Sequence, residues 1–227
     1  TGTGGAATVT GVGFAPDLHI VGRRTATGTG IRFEDRLRGA TRELDSGSTS
    51  AEAAVAQSVT SFNIDGSSLG TDADWNANAA DAFINWFFRR YRGVFQEIAF
   101  TGTGSAHTEA HGLTVIPEVI IVKNRAQADA WAVYWGDETD YLVLNTTAAT
   151  ADDNTYWNDT APTASVFTVG TAHNVNASTE TYVAYLFASL SGICKIGSYT
   201  GNDSSQTINC GFAAGARFVL IKSYNAT

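Results

Sequence analysis

The chain has 227 residues, 44% hydrophobic and 16% charged, which excludes a disordered segment and fits folded domains with real cores. Its net charge of −8 argues against general nucleic-acid binding, and no apolar run approaches the ~18 residues of a membrane-spanning helix. Met is absent, while 12 Phe, 8 Tyr and 5 Trp stand among abundant Thr, Ser, Asn, Asp and Gly, a balance that favours strands and turns.

The chain opens with TGTGGAA, where Gly2, Gly4 and Ala7 fit a variant of the dinucleotide-binding fingerprint. That fingerprint binds phosphate only between a strand and a helix. LHIV, IRF, VIIV, WAVYW, YLVL, SVFTV and FVLI follow as short β-branched or aromatic runs bounded by turn residues, so each is expected to be a strand. FINWFF and YVAYLF are apolar on both faces, as in a strand covered on two sides. AEAAVAQ from Ala51 alone has the composition for a helical turn or two. FQEIAF running through TGTG into TEAHG, and CKIGSY through TGND into QTINC, are expected to form hairpins. The second hairpin would set Cys194 opposite Cys210, a candidate disulfide, with two buried thiols as the alternative.

The chain repeats itself. TGTGGAATVTGVGF from Thr1, TGTGSAHTEAHGL from Thr101 and TGNDSSQTINCGF from Thr200 align, with Gly13, Gly112 and Gly211 in register. Gly70 meets Gly170, Asn76 meets Asn176, FINWFF meets YVAYLF, and GVFQEIAF from Gly93 meets GICKIGSY from Gly192. The expected architecture is therefore all-β: tandem antiparallel β-sandwich, jelly-roll-like domains of about 100 residues. Their expected bounds are 1–100 and 101–199, with 200–227 beginning a third copy. The early stop of that third copy suggests an excerpt from a longer array. No helix follows any TGTG copy, and TGTGSAH and TGNDSSQ lose the fingerprint spacing, so its glycines are expected to serve a hairpin and no cofactor is expected.

Y/F-T-G-x-G/D, the run PEVIIVKNR, LNTT, PTASVFTVG, VNASTETYVAY and KIGSYTGN together resemble a tandem repeat domain of tailed-bacteriophage virion proteins of the tail-fibre type, as in marine phages. Residues 101–200 carry the resemblance best; the first copy is more divergent, with VGRR where the second has VKNR. The resemblance implies a structural virion component on the outer surface of the particle, with assembly and adhesion as its work and no enzymatic activity. It implies other virion subunits as partners, a homo-oligomer, and contact with host-surface polysaccharide.

His107, Glu109 and His111 in HTEAH share a strand face, but the two histidines are then roughly 13 Å apart, too far for one metal ion. Asp137, Glu138 and Asp140, and Asp152 with Asp153, form acidic turns without calcium-loop spacing. No G-x-S-x-G elbow is present. Residues 1–100 hold nine Arg against eleven acids, whereas 101–199 hold three basic and ten acidic residues. Arg36 and Arg38 are accordingly candidates for contact with the acidic copy of a neighbouring subunit. With Arg24 set on Arg125, Phe33 meets Tyr134, and the opposite face carries Arg32 and Glu34 in one copy but Val133 and Trp135 in the other. That face is expected to point outward, making Trp131 and Trp135 candidates for a subunit interface or for a host glycan, the alternative function. A slip of one residue would turn both inward.

Overall fold

The computed structural model describes residues 1–25 and 30–225. The chain is all-β, built from two repeat units, each a sandwich of one large antiparallel sheet and one small one. The first unit contains β1 (Ala7–Val9), β2 (Leu18–Arg23), β3 (Arg32–Asp35), β4 (Arg42–Asp45), β5 (Ala53–Ala54), β6 (Val59–Asn63), β7 (Gly66–Leu69), α1 (Ala73–Asn76) and β8 (Phe83–Phe88). Its large sheet runs β5-β4-β3-β2-β8, and its small sheet β1-β7-β6. Next come β9 (Phe95–Thr101), β10 (His107–Ala110), β11 (Val119–Asn124), β12 (Ala132–Tyr134), β13 (Asp140–Val143), β14 (Ala151–Asp152), α2 (Asn154–Trp157), β15 (Val166–Val169), α3 (His173–Asn176) and β16 (Thr181–Phe187). They form a large sheet β14-β13-β12-β11-β16-β9 and a small pair β10-β15.

Three apolar clusters hold these sheets in a stack of layers. Val21, Val59, Leu69 and Trp75 fill the space between the large and small sheets of the first unit. Ile120, Val122, Tyr134, Trp157, Phe167, Tyr182 and Leu186 do the same in the second. A third cluster lies between the two large sheets: Leu18, Ile20 and Leu44 face Ile121, Trp131, Val133 and Tyr185. The large sheets thus pack on each other through the faces that their own small sheets leave uncovered. This is why the central runs are apolar on both sides.

The repeat motif has a structural purpose in both units. Asn76 Oδ1 accepts the backbone N–H of Thr3 at 2.8 Å, while its Nδ2 donates to the carbonyls of Gly5 and Gly70. Asn176 does the same with Thr103 at 2.7 Å, and with Ser105 and Gly170. A Cβ on Gly2 or Gly102 would lie 2.1 Å from the carbonyl oxygen of Ala77 or Ala177, so only glycine fits against the helix end. TGTG is therefore the clasp on a buried asparagine. It is neither a phosphate loop nor the turn of a hairpin.

Three sequence expectations need correction. β9 joins the large sheet beside β16, whereas β10 pairs with β15 in the small sheet, so the joint crosses between layers and makes no hairpin. Nor is there an assigned strand beyond Phe187 among the described residues, so no hairpin pairs Cys194 with Cys210; both are free thiols, lining one shallow depression. AEAAVAQ supplies β5, captured by the edge of β4. The helices are instead three single turns, two of them capped by Asp72 and Asp153, and four residues are too few to show a 3.6 period.

Replacing Asn176 by Ala leaves the Thr103 N–H and the Gly170 carbonyl without a partner, while the Ser105 carbonyl keeps the Thr103 hydroxyl. It is expected to cost about 3 kcal/mol, seen as a lower urea midpoint at unchanged slope. An unmoved midpoint would show that the clasp contributes nothing.

Candidate functional site

The face shared by the two repeat units holds the densest chemistry of the chain. β2 and β11 turn Ile20 and Ile121 into it, and β3 and β12 follow with Phe33 and Val133. β2–β3 pairing sets Ile20 against Phe33, and β11–β12 pairing sets Ile121 against Val133. Phe33 therefore corresponds to Val133, one residue away from the match to Tyr134 read from the sequence. The slip turns Trp131 inward.

Trp131 is fully buried, its ring 5.3 Å from Phe33 and its Nε1 donating to the Asp45 carbonyl at 3.0 Å. Its contact is with the other unit of its own chain, and no sugar can reach it. Trp135 is half-buried and stacked on Tyr224 at 4.5 Å. The positions read as outward in the first copy are also covered: Glu34 is buried and accepts from the Thr41 N–H, while Arg32 reaches Asp45, Asp74 and Glu43. A charge at a strand position reported burial with partners, not exposure.

The two candidate arginines part company. Arg36 is exposed and stays within its own unit, donating to the carbonyls of Pro16 and Asn63 beside the Phe62 ring. Arg38 is buried and belongs to a network that joins the units. Its guanidinium reaches Asp35 Oδ2 at 2.5 Å, Glu52 Oε2 at 2.9 Å and the Tyr185 hydroxyl at 3.3 Å. The Tyr185 hydroxyl donates to Asp35 at 2.7 Å, and Arg125 grips Glu52 through Nε and Nη2 at 2.8 and 3.0 Å. Lys123 adds a bridge from Nζ to the Thr49 carbonyl at 3.1 Å. A neighbouring subunit has no access to Arg38, so its role is internal.

Asp35, Glu52, Arg125, Tyr185 and Glu97 were not singled out by sequence, although Glu97 interrupts the apolar run FQEIAF. Glu97 is 3% exposed, lies opposite Tyr185, and neither of its carboxylate oxygens has a hydrogen-bond partner. Burial first, and then the nearby charge of Asp35, push its carboxyl well above the ordinary range. His19, beneath the first small sheet between Ser67 and Asn85, is held down to about 4 by burial.

One group among the described residues brings three potential metal ligands together. Asp129, His173 and Glu180 converge, with His173 Nδ1 2.6 Å from Asp129 and Nε2 3.4 Å from Glu180. The Asn124 amide nitrogen donates to both carboxylates, and its Oδ1 is fixed by the Ala126 and Gln127 N–H groups. His107 bonds Glu109, while His111 turns to the Thr163 carbonyl and the Leu113 N–H, so the two rings of HTEAH have separate partners. Asp137 and Asp153 accept from Thr139 and Thr155, as turn and helix-cap acids.

Residues 1–94 and 91–227 each match the model of one protein family, described as Domain of unknown function (DUF7483). The two matches meet at the turn before β9, where the Tyr91–Phe95 bridge closes, and so place β9 with the second unit. No curated protein and no solved structure matches the chain.

Glu97 also gives the fold a pH dependence of known sign. Between the unfolded glutamate pKa near ~4.3 and its raised folded value, the unfolded state has lost a proton that the folded state keeps, so stability falls as pH rises. His19 acts oppositely, weakening the fold as pH drops from about 6.5 towards 4. Glu97→Gln is therefore expected to raise Tm at pH 8 much more than at pH 5, where His19 affects wild type and variant alike. Equal shifts at both pH values would contradict the raised titration of this buried acid.

Proposed function

The chain belongs to the DUF7483 family in two tandem copies, and we propose that it serves as a structural, assembly and adhesion module in a tail fibre or other surface appendage of a tailed bacteriophage. The observation that carries the mechanical part of this proposal is the joint between copies. β9, which follows the first copy, completes the large sheet of the second by pairing along its whole length with β16. A common apolar core and the Arg38–Glu52–Arg125 network close the same joint. Two domains joined in this way resist bending, unlike domains on a linker. The virion setting is supported by the sequence resemblance of residues 101–200, and it would place the chain on the particle surface with other virion subunits as its partners.

The glycan-binding alternative rests on an accessible Trp131 or Trp135, or on loop acids. With the Trp131 ring enclosed between the sheets and Trp135 stacked on Tyr224, no observation favours it over the structural role.

Immunogold electron microscopy of the phage particles that encode the chain tests the proposal. Label on the tail fibres or surface appendages is expected, and particles without label would contradict it.

A further inference from the structure

The two copies treat one corner of the clasp differently. In each, an acid just before the last strand gives its backbone carbonyl to the first clasp glycine: Asp81 to Gly2 and Glu180 to Gly102, both at 2.8 Å. Arg23 and Asn124 also correspond, at the ends of β2 and β11, opposite Phe83 and Tyr182. In the first unit the Arg23 guanidinium pairs with the Asp81 carboxylate at 2.9 Å, and the Thr25 hydroxyl donates to the same oxygen at 2.6 Å. The chain itself thus supplies the positive charge beside this carboxylate. In the second unit the neutral Asn124 replaces the arginine, and a second carboxylate, Asp129, arrives with an imidazole, His173. The first copy has neither: Ala73 opens α1 where His173 opens α3, and its sequence TATGTG over 25–30 holds no acid.

Two carboxylates are therefore gathered on one uncharged amide, with ligand oxygens within 4.8 Å of each other. At that range like charges disfavour each other unless a cation joins them. Among the described residues no Lys or Arg pairs with either acid; Lys123 Nζ lies on the backbone carbonyl of Asp129, not on its carboxylate. Asn124 takes Asp129 Oδ2 and Glu180 Oε2, so Asp129 Oδ1 and Glu180 Oε1 accept neither bond. We infer that Asp129, His173 and Glu180 bind a divalent transition-metal ion, with zinc as the type, which brings to the second copy the positive charge that Arg23 brings to the first.

The donor set fits that ion. In a tetrahedral zinc site the nitrogen and oxygen ligands lie ~2.0–2.2 Å from the metal, and hence ~3.4 Å from one another. His173 Nε2 and Glu180 Oε1 already stand 3.4 Å apart. The three donor atoms span no more than 4.8 Å, so a small turn of the exposed His173 ring completes three protein ligands, with water in the fourth position. An imidazole among the carboxylates selects zinc, nickel or copper over calcium and magnesium, which take oxygen ligands. The donors come from the β11–β12 connection, from α3 and from the approach to β16, so the ion ties these segments to the clasp. Asn176 ends α3, and the Tyr182 hydroxyl donates to the His173 carbonyl at 2.6 Å while accepting the Ala177 N–H at 2.8 Å. The role is structural, and it stands independently of the virion setting.

Calorimetric titration with zinc chloride tests it, on the full chain stripped with EDTA and carrying Cys194→Ser and Cys210→Ser so that no thiol competes for the metal. One equivalent is expected to bind. His173→Ala is expected to lose it and still fold, since the first copy has alanine at that place; Glu180→Gln is expected to lose it as well. His107→Ala, which breaks the other exposed His–Glu pair, should leave binding unchanged. Zinc at ~100 times its dissociation constant is expected to raise Tm by about 5–10 °C, and calcium to leave Tm unmoved. No zinc binding, as when a protonated His173 answers the two acids by itself, would overturn the inference. So would a full equivalent held at unchanged affinity by either His173→Ala or Glu180→Gln, or calcium binding as tight as that of zinc.

Discussion

The structure depends on strands that have no polar face. Val119–Asn124 and Thr181–Phe187 present Ile120, Val122, Tyr182, Ala184 and Leu186 to one side and Ile121, Val183 and Tyr185 to the other, all buried. A two-layer sandwich covers one side only. At about 25 cal/mol per Å² of apolar surface, leaving the second side in water would forfeit a large part of the folding free energy. The neighbouring repeat supplies the missing cover. The small sheets close the outer faces, and the large sheets close each other.

This requirement explains where the charged residues went. Arg38, Asp35, Glu52 and Arg125 lie at the inter-repeat face, and each has its partners supplied there. Breaking one partner from such a set costs far more than the set itself contributes, because the remaining charge stays buried. Glu97 is the exception: it accepts no hydrogen bond, the Arg90 guanidinium comes only to 4.0 Å, and burial followed by the charge of Asp35 raises its carboxyl. The face is therefore specific as well as adhesive: Trp131 must meet Phe33 and Asp45, and Tyr185 must meet Asp35.

The fold class and the repeat were legible because local sequence reported them directly. Gly70 with Gly170 and Asn76 with Asn176 align in sequence, and in each unit the asparagine touches that glycine. The inward side of Trp131 was not legible. Arg32 and Glu34 looked like solvent-facing residues, but Asp74, Asp45 and Thr41, from distant strands and turns, bond them under the small sheet. A linear alignment also misses the one-residue shift between β3 and β12, and with period-two side chains that shift inverts the faces. The route of the joint was hidden for a related reason: FQEIAF is a good strand in either sheet, and its partner, TYVAYLF, lies 80 to 92 residues ahead.

The central claim is that the two repeats form one cooperative body through the shared face. Native-state hydrogen exchange at rising denaturant tests it most directly, by comparing the amides of Ile20 and Val21 with those of Ile121 and Val122. A shared core predicts that both pairs open only with global unfolding, their exchange free energies converging on one denaturant line. Separate lines, with the first repeat opening while the second stays protected, would contradict it.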